Sequence, residues 1–306
     1  MASYSIERLS ISNIRHLQTL YKAVFGRKVS LEFLLKKYDT RFSGAEFIGY
    51  LALAEDNSPA AFYGVLPCRF RLKGATILAA QSADTMTHPD HRRAGLFVKL
   101  ARKTYRLAGD SGIKLIFGFP NQNSLPGFIK LNWTFLPSSM KVFSIPASPF
   151  PISRVIARNS IAQNLYTRLL RALYRAEENP LNLPFPGDGV VKDDAFVRYK
   201  AYSNSYVIRV DEVRVWTKTD RTFNVGYVDM NTVKSMETFL KKLRKLAASA
   251  GFGVIVFITA ENSDLFKALS RVATPQDGFP IGFYTIEDGK WDFSSVVFEH
   301  CDIDIF

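Results

Sequence analysis

Only two cysteines, Cys68 and Cys301, occur in 306 residues, so the sequence supports neither a disulfide framework nor a cysteine-ligated zinc site. Four histidines, none at metal-ligand spacing, leave no metal indicated. Long apolar runs are missing as well, and Met1 to Arg8 lacks the hydrophobic region of a secretory signal; a soluble cytoplasmic protein is therefore the expectation. Acidic residues are scarce beside basic ones, 28 against 40, for a net charge of +12. The basic residues run along the whole chain rather than in one tail, and no nucleic-acid motif accompanies them. That pattern suits a solvated basic surface or the steering of anionic ligands, and speaks against nucleic acid as a partner. Two familiar phosphate loops are also absent: neither Gly-x4-Gly-Lys-Ser/Thr nor the three spaced glycines of a dinucleotide fingerprint appears.

What is present points to an anion all the same. Asp84-Thr85-Met86-Thr87-His88-Pro89 reads as a strand end, Asp90 to Gly95 as a tight basic turn, and Leu96 to about Ala108 as a helix. A helix start presents unpaired N–H groups and the positive end of the helix dipole. Arg92 and Arg93 add fixed charge, and Gly95 lets a ligand approach the backbone. The anion this arrangement suits is a pyrophosphate. Downstream, Ile113 to Phe119 is an apolar run of strand length that leads into Pro120-Asn121-Gln122-Asn123-Ser124-Leu125-Pro126-Gly127-Phe128.

These residues resemble the GNAT superfamily of N-acyltransferases. Its acyl-coenzyme A loop runs Gln/Arg-x-x-Gly-x-Gly/Ala after a Val-x-Pro strand end; here Thr87-His88-Pro89 stands for the strand end, and Arg92 and Gly95 take the first and fourth loop positions. The last position is Phe97, a departure. Asn121 matches the Asn that follows the fifth strand in the family, and Leu131-Asn132-Trp133 its Leu-Gly-Phe motif, with Asn for Gly. Upstream, Ile6 to Leu9, Ser12 to Phe25, Gly49 to Ala54 and Ala60 to Leu72 read as strand, helix, strand and strand, the family order over residues 1–143. The resemblance implies an α/β (α+β) GNAT fold, a mostly antiparallel mixed sheet flanked by helices. It further implies acetyl-coenzyme A as co-substrate, bound by the backbone of Thr85, Met86 and Thr87, by Arg92, Arg93, Ala94, Gly95, Leu96 and Phe97, and by Asn121 and Ser124.

The length and 47% apolar content favour two domains. Pro137, Pro146, Pro149 and Pro151 punctuate a connector, Arg154 to Glu177 reads as one or two amphipathic helices, and Asn179 to Gly189 as a loop. Asp193 to Lys200 can open a helix. Strands are expected at Tyr206 to Val210, Arg214 to Lys218 and Thr222 to Asp229. A helix at Thr232 to Ala250, stopped by Gly251, follows, then a strand at Gly253 to Thr259, a short helix at Asn262 to Ser270, and strands at Ile281 to Ile286 and Val296 to Glu299. This is the GNAT order again without the basic loop. The expectation is therefore a first domain over 1–143, a connector over 144–205 and a degenerate GNAT-like domain over 206–306. Two tandem relatives are similar: the enhanced-intracellular-survival aminoglycoside acetyltransferases and GNAT-like proteins of sugar and cell-surface biosynthesis. In the survival type a terminal Phe carboxylate lies in the active site, and this chain also ends in Phe306.

The chemistry expected is acetyl transfer from acetyl-coenzyme A to an amine of a small molecule, such as an amino sugar or a nucleotide-linked sugar. Asp84 is the candidate base on the fourth strand, with a structural hydrogen-bonded role as its alternative; His88 reads as a strand-end residue. The Tyr that supplies the family's usual acid is replaced by Phe128, which cannot donate. That departure keeps open a non-catalytic or regulatory acyl-coenzyme A-binding protein, and more distantly an aminoacyl transferase of the peptidoglycan type. No oligomeric state is expressed in the sequence.

Overall fold

A computed structural model describes residues 3–177, 187–287, 289 and 291–306. The first elements are β1 (Ser5–Arg8), α1 (His16–Phe25), α2 (Leu31–Tyr38), β2 (Ile48–Leu53), β3 (Pro59–Leu72), β4 (Ala75–Thr87), α3 (Leu96–Asp110), β5 (Leu115–Gly118) and α4 (Leu125–Lys130). Helix α1 starts four residues later than its apolar pattern implies, because Ile11 to Arg15 form turns. Gly26, in the left-handed region, ends it. Ser30 caps α2 by accepting a hydrogen bond from the Phe33 N–H.

The chain continues through β6 (Thr134–Pro146), α5 (Ile152–Ile156), α6 (Ser160–Leu173), β7 (Gly189–Val190), α7 (Asp194–Lys200), β8 (Ser205–Val210), β9 (Val213–Thr219), β10 (Phe223–Val228), α8 (Met236–Ser249), β11 (Val254–Ala260), α9 (Asp264–Leu269) and β12 (Gln276–Thr285). The expected connector after Trp133 is instead this long strand β6, which accommodates Pro137 inside it and ends at Pro146. Most of the loop expected at Asn179 to Gly189 lies outside the described residues. Helix α8 begins at Met236 rather than Thr232, since Ser235 accepts from the Thr238 N–H and so fixes the start. Val296 to Glu299 forms no strand but isolated bridges, among them Glu299 to Thr259.

Two compact units result, and neither is contiguous. Unit 1 holds residues 1–136, 188–191 and 280–295; unit 2 holds 137–187, 192–279 and 296–306. The segment 280–295, expected in the second domain, thus belongs to unit 1. There β1, β2, β3 and β4 pair antiparallel in sequence, β4 pairs β5 in parallel, and the end of β12 pairs β5 antiparallel, Gly282 opposite Gly118. Strand β7 adds to β3. Leu17, Leu20, Tyr38, Phe62 and Met86 bury one face beneath α1 and α2, and Tyr63, Leu96, Leu100, Tyr105, Phe128 and Trp133 the other beneath α3 and α4.

Unit 2 builds its sheet from β8, β9 and β10, antiparallel in order, then β11 parallel to β10, then β6 antiparallel to β11. Phe143, Val215, Phe223, Leu243, Phe252 and Phe257 form its core. The α8 face that enters this core is Phe239, Leu240, Leu243 and Ala247, one helical stripe.

Candidate active site

The parallel ladder between β4 and β5 is short. Ala79 pairs with Leu115, Ala80 with Ile116 and Gln81 with Phe117; β5 then ends at Gly118, while β4 runs on to Thr87 with β3 as its partner. Beyond Gln81 that edge of β4 has no strand partner among the described residues, so it can pair with an extended ligand. A bulge disturbs the same stretch: Phe62 faces Met86 and Gly64 faces Ala83, so Asp84 and Thr85 together oppose Tyr63. Asp84 takes φ 51, a left-handed conformation that Asp tolerates better than most residues. The strict alternation expected for Asp84, Met86 and His88 is broken by this extra residue.

Both carboxylate oxygens of Asp84 are committed. Lys37 Nζ donates to Oδ1 at 2.8 Å and the Tyr38 hydroxyl donates to Oδ2 at 2.8 Å. The Lys37 and Asp84 side chains are 3% and 6% exposed. Burial, then the adjacent Asp84 charge, pushes the Tyr38 hydroxyl well above its ordinary range, so Tyr38 keeps its proton and remains a donor. Lys37 and Tyr38 are consecutive residues of α2, and nothing local in the sequence links them to Asp84.

Opposite this pair, on the α3 side of β4, a chain of hydroxyls reaches the point where β4 and β5 part. Trp133 Nε1 donates to the Tyr105 hydroxyl at 2.9 Å; the Tyr105 and Tyr63 hydroxyls lie 2.8 Å apart; the Tyr63 hydroxyl lies 2.9 Å from Ser82 Oγ. An indole N–H can only donate, so the Tyr105 oxygen accepts from Trp133, while either hydroxyl can be the donor in the Tyr105–Tyr63 and Tyr63–Ser82 contacts. In one arrangement these contacts allow, Tyr105 gives its proton to Tyr63 and Tyr63 gives its proton to Ser82, which leaves the Ser82 proton to point elsewhere. Burial raises the hydroxyl pKa values of both Tyr63 and Tyr105, so the chain holds its protons. Ser82 is the residue just past the last parallel pair, and a Cβ on Gly118 would lie 3.4 Å from the Ser82 Cβ and 3.3 Å from the Trp133 ring. Sequence inspection missed this chain; its members are spread over β3, β4, α3 and the residue before β6, and only folding joins them.

The basic turn has the form the sequence implies. Pro89 to His91 make one 3-10 turn, Arg92 is extended, Arg93 has φ 67, and Gly95 caps α3 with φ 71. Arg92, Arg93, Ala94 and Gly95 are exposed, whereas Leu96 is buried and anchors the helix. No side chain caps α3 and no acid sits in its first turn, so its N–H groups stay available to an anion. Phe97, the departure at the last loop position, fits because Gly127 of α4 leaves room: a Cβ there would stand 2.3 Å from the Phe97 ring. Phe97 also packs edge-on to Phe128, whose ring meets Trp133 at 4.4 Å between centroids. Phe128 is thus a core residue.

Asn121 and Ser124 lie together in the exposed turn before α4. Asn121 Oδ1 accepts from the N–H groups of Asn123 and Ser124, and Ser124 Oγ accepts from the Asn121 N–H. This leaves the Asn121 amide NH2 as the donor of the turn. Phe306 lies in unit 2, its ring against Gly226 and edge-on to Trp216 at 5.7 Å. Among the described residues no cluster suited to a metal ion occurs, and no helix is long and apolar enough to cross a membrane.

Comparison with known proteins agrees with this fold. No curated protein matches the sequence. Among solved structures, a GCN5-related N-acetyltransferase from Kribbella flavida aligns over 93% of this chain and 71% of its own, at 11% identity and a TM-score of 0.54. Another from Anabaena variabilis aligns over 93% and 73%, at 13% identity and 0.54. A conserved protein of unknown function from Enterococcus faecalis aligns over 93% and 73%, at 13% identity and 0.57. At such identities the likeness is one of fold. A family model described as "Acetyltransferase (GNAT) domain" matches residues 5–135, so this stretch is similar to that domain, and the chain has the GNAT fold.

Proposed function

We propose that the protein transfers an acetyl group from acetyl-coenzyme A to the amine of a small molecule, with an amino sugar or nucleotide-linked sugar as the acceptor class. The observation that carries this reading is the uncapped, acid-free start of α3 beside Arg92 and Arg93, one strand-end away from the free edge of β4. The pyrophosphate would take the α3 N–H groups, and the pantetheine arm would extend β4 along Thr85, Met86 and Thr87 with the Asn121 amide as a further donor. In the transfer the amine nitrogen bonds the thioester carbon, the C–S bond breaks, and the amine's proton leaves for solvent or the departing thiolate.

With Phe128 unable to donate, the hydroxyl chain ending at Ser82 supplies a neutral donor near the reacting thioester. It stabilises developing negative charge and does not give up its proton. Asp84 receives a role other than general base: its carboxylate neutralises buried Lys37 and fixes the bulge. The second unit reads as a degenerate GNAT-like domain, supported by its antiparallel strands followed by one parallel pair, β10 with β11. The C-terminal carboxylate is not needed in this scheme. Turnover of acetyl-coenzyme A with a panel of amines tests the proposal; binding without turnover across that panel would favour a regulatory acyl-coenzyme A-binding protein.

A further inference from the structure

Seven large apolar side chains stand exposed on one stretch of unit 2. Phe150, Ile152 and Val155 project from α5 and its approach, with 76%, 59% and 64% of their surface exposed. Ile161, Leu165, Leu169 and Leu173, at 78%, 59%, 60% and 68%, form a single stripe along α6 at four-residue spacing. The opposite face of α6 is fully employed. Leu170 enters the core with Tyr166 and Tyr174 beside it, the Tyr174 hydroxyl donates to the Leu246 carbonyl, and Gln163 Nε2 donates to the Thr219 carbonyl. The outer stripe is therefore not a frayed or misread core face. It is a second apolar face on an anchored helix.

Charge identifies what covers it. Residues 150–175 contain five arginines, Arg154, Arg158, Arg168, Arg171 and Arg175, and no Asp, Glu or Lys. Arg154, Arg158, Arg168 and Arg175 are exposed. A second copy of the chain would have to meet this face with itself across a twofold axis, setting four exposed arginines against four. A protein partner would have to offer this helix an apolar groove of matching shape with an acidic rim. An anionic bilayer surface asks for neither a groove nor a matched shape. It accepts a convex apolar stripe at the level of the headgroups, and guanidinium groups pair bidentately with lipid phosphates. At 14 residues α6 is about 21 Å long, enough to lie in that plane and too short to span it.

We propose that α5 and α6 dock the protein onto a membrane surface rich in anionic phospholipid, with Ile161, Leu165, Leu169 and Leu173 entering the acyl boundary and the surrounding arginines holding phosphates. The test uses the full chain and vesicles of phosphatidylcholine alone or with about one third phosphatidylserine. The wild type should co-sediment with the mixed vesicles, at least tenfold more than with phosphatidylcholine alone, and salt should weaken the attachment. Leu165→Ser with Leu169→Ser, and separately Arg158→Gln with Arg168→Gln, should each lower the bound fraction by tenfold or more. Because these four side chains point outward, the thermal transition should stay in place. Equal sedimentation with both vesicle types, or variants that bind like the wild type, would overturn the proposal. So would a concentration-dependent dimer that the leucine pair abolishes, which would give the face to a second copy.

Discussion

The two units part their parallel strands in the same way and then do opposite things with the opening. In unit 1 the β4–β5 ladder stops at Gln81 and Phe117, a bulge follows at Asp84 and Thr85, and the helix beyond starts uncapped beside two arginines. In unit 2 the β10–β11 ladder stops at Val225 and Phe257, and a bulge follows at Gly226. The helix beyond begins with Ser235 capping it and Glu237 in its first turn. The second opening is also occupied. The Ala260 N–H donates to the Phe298 carbonyl, His300 Nδ1 lies 3.3 Å from the Val225 carbonyl, and the Phe306 ring fills the space a Gly226 side chain would take. Lys200 and Lys218 hold the Ile303 and Ile305 carbonyls, and Lys192 pairs with Asp302 at 3.0 Å with both side chains fully buried. One topology thus keeps a receptive helix start and a free strand edge, while its counterpart satisfies both from within.

Substitutions can break this comparison at either bulge. The largest effect is expected at Asp84→Asn, which removes the counter-charge of buried Lys37. A loss of about 3–5 kcal/mol is expected in denaturant unfolding, the scale for breaking a buried ion pair. A variant of unchanged stability but about 100-fold slower turnover would instead restore Asp84 as the base. At the other bulge, a Cβ on Gly226 would stand 2.2 Å from the Phe306 ring. Gly226→Ala should therefore cost about 1–3 kcal/mol by overpacking while leaving coenzyme A affinity untouched. Smaller still, Ser82→Ala should slow transfer about tenfold with binding unchanged, since it deletes the outward donor of the hydroxyl chain. Tyr105→Phe should follow more weakly, because Ser82 can then turn its proton inward to Tyr63.

The closed opening should also carry a pH signature. Burial, with Asp302 and Asp264 adding to it, pushes the Glu299 carboxyl up to about 8 from its ordinary 4.5. Between those values the folded chain holds a proton that the unfolded chain releases, so stability falls as pH rises from 4.5 and levels off above 8. His300 has the opposite sign: burial lowers it to about 3 from 6.5, so its contribution is complete above 6.5 and is lost as pH falls toward 3. From pH 6.5 to 8 only the Glu299 slope remains of these two. Unfolding measured across that window should decline with pH in the wild type and flatten in Glu299→Gln.

Much of this was legible in the residues. The basic turn, the start of α3 at Leu96 and strands β3, β5, β9 and β11 follow from apolar periodicity and from the turn chemistry of Pro89 and Gly95, both local in sequence. The bulge at Asp84 did not show, since an added residue in a strand leaves the alternation readable on either side of it. Asp84's ion pair with Lys37 and the chain from Trp133 to Ser82 join residues dozens of positions apart, and no spacing rule reports such contacts. The spread of charge misled in another way: over the whole chain the arginines look even, yet the acid-free stretch 150–175 gathers five of them around one exposed stripe. The units themselves were hidden by the exchange of segment 280–295, which leaves its sequence neighbours to pair with β5.

Titration calorimetry with coenzyme A addresses the comparison directly. One site per chain is expected in the wild type, and Gly95→Asp, which sets a carboxylate against the α3 N–H groups, should weaken it about 100-fold or more, with the fold intact and only a small fall in the thermal transition from a side chain at the left-handed φ of Gly95. Two sites per chain, or an affinity that survives Gly95→Asp, would contradict the account.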